Sequence, residues 1–200
     1  MEAFYTIQGE GYFQGQAAYF IRLGGCDVGC HWCDVKDSWD ADKHPSKSVS
    51  EIVEEALKYP ARIAVVTGGE PVMYKLEALT KGLKEAGFRT HIETSGAYPL
   101  TGEWDWVCLS PKKFKEPVAS FYAHVDELKA IVFNKSDFEF AEQQATLIQN
   151  QLNVEQKIVR YYLQPEWSKI NAMLPLLVEF VKGNPKWQVS LQTHKYMNIP

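Results

Sequence analysis

No stretch of this 200-residue chain approaches the ~20 consecutive apolar residues of a membrane helix. The opening MEAFYTIQGEG has neither the basic start nor the apolar middle of a secretion signal, so the expected location is the cytoplasm. Positive charge is not in excess either: 21 Lys and Arg face 25 Asp and Glu, a net charge of −4. That balance lacks the electrostatic footprint of a nucleic-acid or membrane-surface binder and leaves a small polar ligand as the expected partner. The glycine-rich fingerprint of a dinucleotide site is missing, and so are internal repeats, low-complexity tracts and linkers. Cysteine is scarce, four in all, and three of them crowd into one short stretch with Cys108 far away. Such spacing makes a poor disulfide framework and suits a reducing compartment and a metal.

The crowded residues are Cys26, Cys30 and Cys33, spaced CxxxCxxC directly after a strand-like run, Tyr19 to Leu23, that ends in Gly24-Gly25. Thiolates are soft ligands and select zinc, copper(I) or iron–sulfur clusters. A cubane cluster held by only three protein thiolates leaves its fourth iron open to another ligand, and chemistry is expected there.

At 22.8 kDa and 46% hydrophobic residues the chain is large enough for one sizeable core, and 1–200 is expected to be a single domain. Ser48 and Glu51 have the spacing of a capping box. Ile52, Val53, Ala56 and Leu57 then form an apolar stripe that stops at Tyr59-Pro60. Ile63 to Val66 is wholly apolar, as in a strand covered on both faces. Further helices are predicted near 73–86, 138–152 and 168–182, the last kinked or shortened by Pro175. Strands are predicted near 89–93, 106–109, 128–133, 158–163 and 187–191, with an irregular connection at about 94–105. Strands alternating with helices imply right-handed βα units and a mainly parallel sheet. The expected fold class is α/β: a partial, open βα barrel of about six parallel strands, because the chain is shorter than the ~250 residues of a complete eight-fold barrel. A doubly wound sheet is the structural alternative.

In parallel βα folds the C-terminal strand ends face one side and carry the reactive residues. Here those ends read Thr67-Gly68-Gly69-Glu70-Pro71, Glu93-Thr94-Ser95-Gly96, Ser110-Pro111-Lys112-Lys113, Gln164-Pro165-Glu166 and Gln192-Thr193-His194-Lys195. Paired glycines bare the backbone for close approach, and Glu70 is placed to accept bonds from a cationic amine; a tight turn before a helix explains the same residues. Ser110 and Lys112 suit the hydroxyl and carboxylate groups of a ligand as well as they suit an ordinary Ser-Pro turn. Glu93, an acid ending an apolar strand, serves equally as half of an internal ion pair. Gln8-Gly9-Glu10-Gly11 is too polar for a core. Arg22 is a fixed cation near the cysteine loop, matched either by a structural carboxylate or by an anionic substrate. His194 is a candidate donor to a ligand, whereas His31 and His91 read as hydrogen-bonded histidines of surface or core. Cys108, within Val107-Cys108-Leu109, reads as a buried small hydrophobe.

The run Cys26 to Cys33 with Trp32 before its last cysteine, together with Thr67-Gly68-Gly69-Glu70-Pro71, resembles the radical S-adenosylmethionine superfamily. Thr6-Ile7-Gln8-Gly9-Glu10-Gly11, Arg22, the short length and the ending Gln192-Thr193-His194-Lys195-Tyr196-Met197-Asn198-Ile199-Pro200 narrow the resemblance to its 7-carboxy-7-deazaguanine synthase family, over essentially the whole chain. That resemblance implies that the three thiolates hold a 4Fe-4S cluster and that the amine and carboxylate of S-adenosylmethionine chelate the open iron. It also implies a lyase reaction, in which a 5′-deoxyadenosyl radical takes a hydrogen from C6 of 6-carboxy-5,6,7,8-tetrahydropterin. The ring then contracts with loss of ammonia, and S-adenosylmethionine is regenerated.

By position, Trp32, Asp34, Gly69, Glu70, Ser95, Ser110, Pro111, Lys112 and Gln164 are the implied S-adenosylmethionine contacts. Ile7, Gln8, Gly9, Glu10, Arg22, Thr67, His194 and the carboxylate of Pro200 are the implied pterin contacts. Arg22 would grip the substrate carboxylate with its planar fork, and Gln8 and Glu10 would read the amide-like edge of the pterin. A homodimer and a reductant such as flavodoxin or ferredoxin are the implied partners. One departure stands out: many members follow the last cysteine with Asp and then Ser or Thr, whose hydroxyl helps bind Mg²⁺, and here the pair is Asp34-Val35. Valine cannot ligate magnesium. Weakened or absent magnesium dependence is expected, with Asp37 or waters as substitute ligands or Lys36 as a substitute cation. Two rival readings share parts of this pattern. A glycyl-radical activase has the CxxxCxxC element, but Gln8 to Gly11, Arg22 and the tail from His194 favour a small-molecule pocket. A structural zinc module built on Cys26, Cys30, Cys33 and His31 leaves the converging strand ends unexplained.

Overall fold

The inner strands of a parallel sheet are apolar on both faces, and the architecture follows from where this chain keeps that rule and where it breaks it. A computed structural model describes residues 2–151 and 158–200. Strand β1 (Glu2–Ile7) pairs antiparallel with β2 (Ala17–Leu23). From β2 onward each pair is parallel, through β3 (Ile63–Gly68), β4 (Arg89–Thr94), β5 (Trp106–Leu109), β6 (Glu127–Val132), β7 (Arg160–Pro165) and β8 (Trp187–Val189). Sheet order equals chain order, β1 to β8, and no ladder among the described residues joins β8 back to β1. The result is a βα barrel open on one side, as expected, with seven parallel strands (β2 to β8) where about six were predicted.

Strand β1 escaped the sequence reading. Its residues alternate, with Ala3 and Tyr5 packed on the outer core and Phe4 stacked on Phe20 at 5.5 Å inside the barrel. Only the register with β2 makes that alternation visible.

Helices α1 (Val49–Ala56), α2 (Glu77–Glu85), α3 (Ser136–Gln151) and α4 (Ile170–Gly183) follow strands, and a short α5 (Thr193–Met197) ends the fold. Both halves of the Ser48–Glu51 capping box are formed. Helix α2 starts later than predicted because Pro71–Met73 is a separate short turn, capped by the Glu70 carboxylate. Helix α3 starts two residues early, and its predicted last position, 152, lies outside the described residues. Helix α4 runs through Pro175, which is exposed, so the carbonyl that loses its partner can be met by water. No helix among the described residues is long and apolar enough to cross a membrane.

The outer core lies between the helices and the sheet. Ile52, Leu79, Leu83, Ile148 and Leu177 from helices meet Ala64, Val66, Ile92, Leu109, Leu128 and Leu163 from strands. The inner face carries a smaller apolar cluster, Ala18, Phe20 and Val65 with Phe4 and Ile63 packed on it, beside the buried polar residues His91, Glu127, Lys129, Gln164 and Ser190. The loop after β1 plugs this interior: Phe13 lies 4.4 Å from the His91 ring and edge-on to Trp106 at 4.9 Å.

His91 corrects its sequence reading in one respect. It is buried, but its Nε2 has no hydrogen-bond partner among the described residues. Burial, with Arg89 nearby, lowers its pKa from 6.5 to about 4. The unfolded chain therefore takes up this proton first as pH falls, and between pH 6.5 and about 4 the neutral ring costs the fold up to ~3 kcal/mol. His91→Phe keeps an aromatic ring against Phe13 and Trp106. Its melting temperature is expected to fall less than that of the wild type across this pH range; parallel slopes in anoxic thermal unfolding would refute the assignment.

Candidate active site at the open end of the barrel

The C-terminal strand ends meet in a cavity of about 380 Å³. All three cysteines and all the implied cofactor and substrate contacts line it, except Pro111, which is buried outside its walls.

Backbone bonds hold both ends of the cysteine loop, and Asp27 within it pairs with Lys115 at 2.6 Å and accepts from the Tyr98 hydroxyl. Gly25 and Cys26 donate to the Ser38 and Trp39 carbonyls at 2.6 and 3.1 Å, and Cys33 turns back onto Cys30 at 3.0 Å. The end of β3 clamps it from the other side, Gly69 N donating to Leu23 O at 2.9 Å and Glu70 N to Gly25 O at 2.8 Å. With both N–H groups engaged, this corner offers a ligand carbonyl oxygens, which are acceptors suited to an ammonium group. A side chain at Gly69 has no room: a Cβ there would lie 2.1 Å from Gly25 O and 2.9 Å from Cys26 Cβ. The Glu70 carboxylate, expected to receive a cationic amine, is instead engaged within the protein. It accepts from Val72 N at 3.3 Å and Ser95 N at 2.9 Å, and from the hydroxyls of Thr94 and Ser95. It is a strut between the ends of β3 and β4.

The donor set fits an iron–sulfur cluster. All three cysteines are free and half-buried, and burial raises the thiol pKa of Cys26 and Cys30, so ligation must expel their protons. Among the described residues no three His, Cys, Asp or Glu side chains converge as ligands of a single ion. Three thiolates on one loop opening into one cavity are a donor set that a cubane cluster can use while leaving one iron open. His31 is exposed and lies edge-on to Trp32 at 4.3 Å and Phe133 at 5.1 Å. Lys112 donates to the Ser110 carbonyl at 2.5 Å and hydroxyl at 2.9 Å, which sets an ammonium beside the cysteines for a ligand carboxylate.

The other half of the cavity is polar on its floor. Lys129 Nζ bridges Glu10 at 2.5 Å and Glu93 at 2.9 Å. Burial works to raise the Glu10 pKa, but the charge and hydrogen bond of Lys129, with a bond from Gln192, lower it from 4.5 to about 2. Glu93, left between two readings by its sequence position, is half of an ion pair and also lines the cavity. Gly9 lies under His194, whose Nδ1 would be 2.2 Å from a Cβ there, and accepts Thr193 N and Oγ1 at 2.9 Å each. These contacts tie the loop after β1 to the segment after β8, across the open side of the barrel. Arg22 pairs with Glu2 at 2.9 Å and lies over Phe4, so an anionic ligand would have to compete with that carboxylate.

Sequence reasoning missed Lys129, and placed Gln192 and Lys195 at a strand end without giving either a role of its own. Lys129 had a signal, a lone charge in the apolar run Leu128 to Val132. The pairing of Lys195 had none, because Asp34 is distant in sequence: Nζ lies 3.1 Å from Asp34 Oδ2, and Gln192 Nε2 lies 3.4 Å from the same oxygen. Lys36, the neighbour in sequence, lies over Trp39 instead. Val35 beside Asp34 adds no oxygen donor, and the Asp34 carboxylate is paired with Lys195.

A half-open βα barrel with three thiolates at its mouth defines a radical S-adenosylmethionine enzyme. The family described as the radical SAM superfamily matches residues 20–110, from β2 through the cysteine loop to the end of β5, and carries with it a 4Fe-4S cluster and S-adenosylmethionine. The 7-carboxy-7-deazaguanine synthase of Flavobacterium psychrophilum is 59% identical over 200 residues, covering 100% of this chain and 91% of that protein. The same enzyme of Synechocystis is 45% identical over 99% of this chain and 91% of its own length, and that of Escherichia coli 35% identical over 99% and 97%. The crystal structure of QueE from Escherichia coli matches with a TM-score of 0.81 at 33% identity, covering 95% of this chain and 91% of that one. The chain belongs to the 7-carboxy-7-deazaguanine synthase family.

Proposed function

We propose that this protein is a lyase that converts 6-carboxy-5,6,7,8-tetrahydropterin into 7-carboxy-7-deazaguanine with release of ammonia, a step of queuosine biosynthesis, with 1–200 acting as one domain. One observation carries the reading: the cysteine loop and the Glu10–Lys129–Glu93 floor open into the same cavity. When bound, a 4Fe-4S cluster and S-adenosylmethionine would supply the one-electron chemistry. The chain's own residues then bind and orient. Cys26, Cys30 and Cys33 hold the cluster. The Gly69 and Glu70 backbone carbonyls, Ser95, Ser110, Lys112 and Gln164 hold S-adenosylmethionine, with Trp32 as an apolar wall. Gln8 and Glu10 read the pterin edge, Arg22 exchanges Glu2 for the substrate carboxylate, and Thr67, His194 and Pro200 complete the contact. A homodimer in the cytoplasm, reduced by a flavodoxin or ferredoxin, is the setting that family likeness supports.

Magnesium is the point at which this chain departs from other members. The Lys195 ammonium at Asp34 takes the place of the cation, and turnover is expected without added Mg²⁺. The test is an anoxic assay of the reconstituted protein with dithionite, S-adenosylmethionine and the carboxypterin, before and after chelation of divalent ions. No deazapurine from a protein with an intact cluster would end the functional reading. Activity that collapses on chelation and returns with Mg²⁺ would end only the Lys195 reading.

A further inference from the structure

The polar floor has a member to which none of the roles above gives a ligand. Lys129 lies on β6 with its side chain 3% exposed, yet it lines the cavity. Its ammonium donates to Glu10 Oε2 and Glu93 Oε2. Gln8 Nε2 donates to Glu93 Oε1 at 2.8 Å, and Gln8 Oε1 accepts Glu10 N at 3.1 Å, so the four residues close a ring. Gln192 steadies it with a 2.9 Å bond to Glu10 Oε1. An ammonium has three N–H donors and the ring engages two; each carboxylate oxygen keeps a second lone pair. The floor therefore offers a ligand one donor together with carboxylate acceptors. Burying such a set gains little stability over apolar residues of the same volume, so its place on a cavity wall points to recognition.

We propose that Lys129 is a substrate-recognition residue whose remaining N–H donates to the ring carbonyl of a 2-amino-4-oxopyrimidine, while Glu10 and Glu93 accept from the adjoining ring N–H and amino group. This rests on the pterin reading of the site. A 2,4-diamino ring would set an amino donor against the ammonium and, having lost the ring N–H, a bare ring nitrogen against a carboxylate, so both positions are mismatched. A site built to hydrogen-bond rejects a mismatched ligand far more strongly than an apolar pocket does.

Steady-state kinetics of the reconstituted holoenzyme test this with 6-carboxytetrahydropterin and its 4-amino analogue, on wild type, Lys129→Met and Lys129→Arg. The wild type is expected to favour the 4-oxo compound by about 100-fold or more in kcat/KM. Lys129→Met is expected to raise its KM about 100-fold and erase the preference, with iron content and KM for S-adenosylmethionine unchanged; Lys129→Arg recovers part of both. A Lys129→Met enzyme that retains the preference overturns the proposal, and so does parallel loss of both substrates, which marks a fold effect. If Lys129→Met does not fold, the wild type decides, since indifference between the two compounds overturns the proposal. A wild type that turns over neither compound removes the pterin reading itself and is distinguishable on that ground.

Discussion

Gly69→Ala is expected to give a folded protein that holds little iron and turns over at least ~100-fold more slowly, because a misplacement of about 1 Å near reacting groups carries a penalty of that order. The added methyl would lie 2.1 Å from the Gly25 carbonyl oxygen and 2.6 Å from its carbon. These are backbone atoms and cannot rotate aside. The two bonds that bring β3 against the cysteine loop, Gly69 N to Leu23 O and Glu70 N to Gly25 O, fix the approach, so the strain falls on Gly25 and on Cys26 next to it. Iron per chain and the absorption of the anoxically reconstituted variant read the effect. Gly183→Ala is the control, since a Cβ there meets nothing within 4 Å. If Gly69→Ala loads its cluster as the wild type does, the clamp is not what places the first cysteine.

The parts of this site that were legible in the sequence are the ones whose chemistry is local. Three thiolates within eight residues, and a glycine pair ending an apolar run, announce a metal and a close approach whatever the fold around them. The order of strands and helices was legible for a related reason, since each helix buries its own stripe against the strand it follows. What stayed hidden depends on contacts between distant segments. Strand β1 gains its identity from pairing with β2, and its own six residues mix aromatic and polar types. Lys195 reaches Asp34 across a separation of 161 residues, while sequence proximity favoured Lys36. Lys129 was masked by an apolar strand, because averaging over a run conceals the one position that faces inward. At Glu70 the residue type was legible and its partners were not: a carboxylate at a strand end looks the same on paper whether it faces a ligand or the next strand.

Glu70→Gln separates those two possibilities with a single atom. The buried carboxylate, 1% exposed, accepts on Oε1 from Val72 N and the Thr94 hydroxyl, and on Oε2 from Ser95 N and the Ser95 hydroxyl. The hydroxyls can turn and become acceptors, but the backbone N–H groups cannot. Whichever way a glutamine is placed, its NH₂ faces one of those N–H groups and leaves it unpaired in a buried site, at ~1–3 kcal/mol. The amide should settle with its NH₂ toward Val72, the longer bond at 3.3 Å, and uncap the Pro71–Met73 turn. A melting temperature lower by about 8 °C is expected without any ligand bound, and a rise of about tenfold in KM for S-adenosylmethionine follows as Ser95 and the Gly69 carbonyl shift. Were the carboxylate an open acceptor for the amine of S-adenosylmethionine, the substitution would move that KM and leave the unliganded melt where it was. Thermal unfolding of the two proteins, read beside their kinetics, therefore tells a strut from a ligand contact.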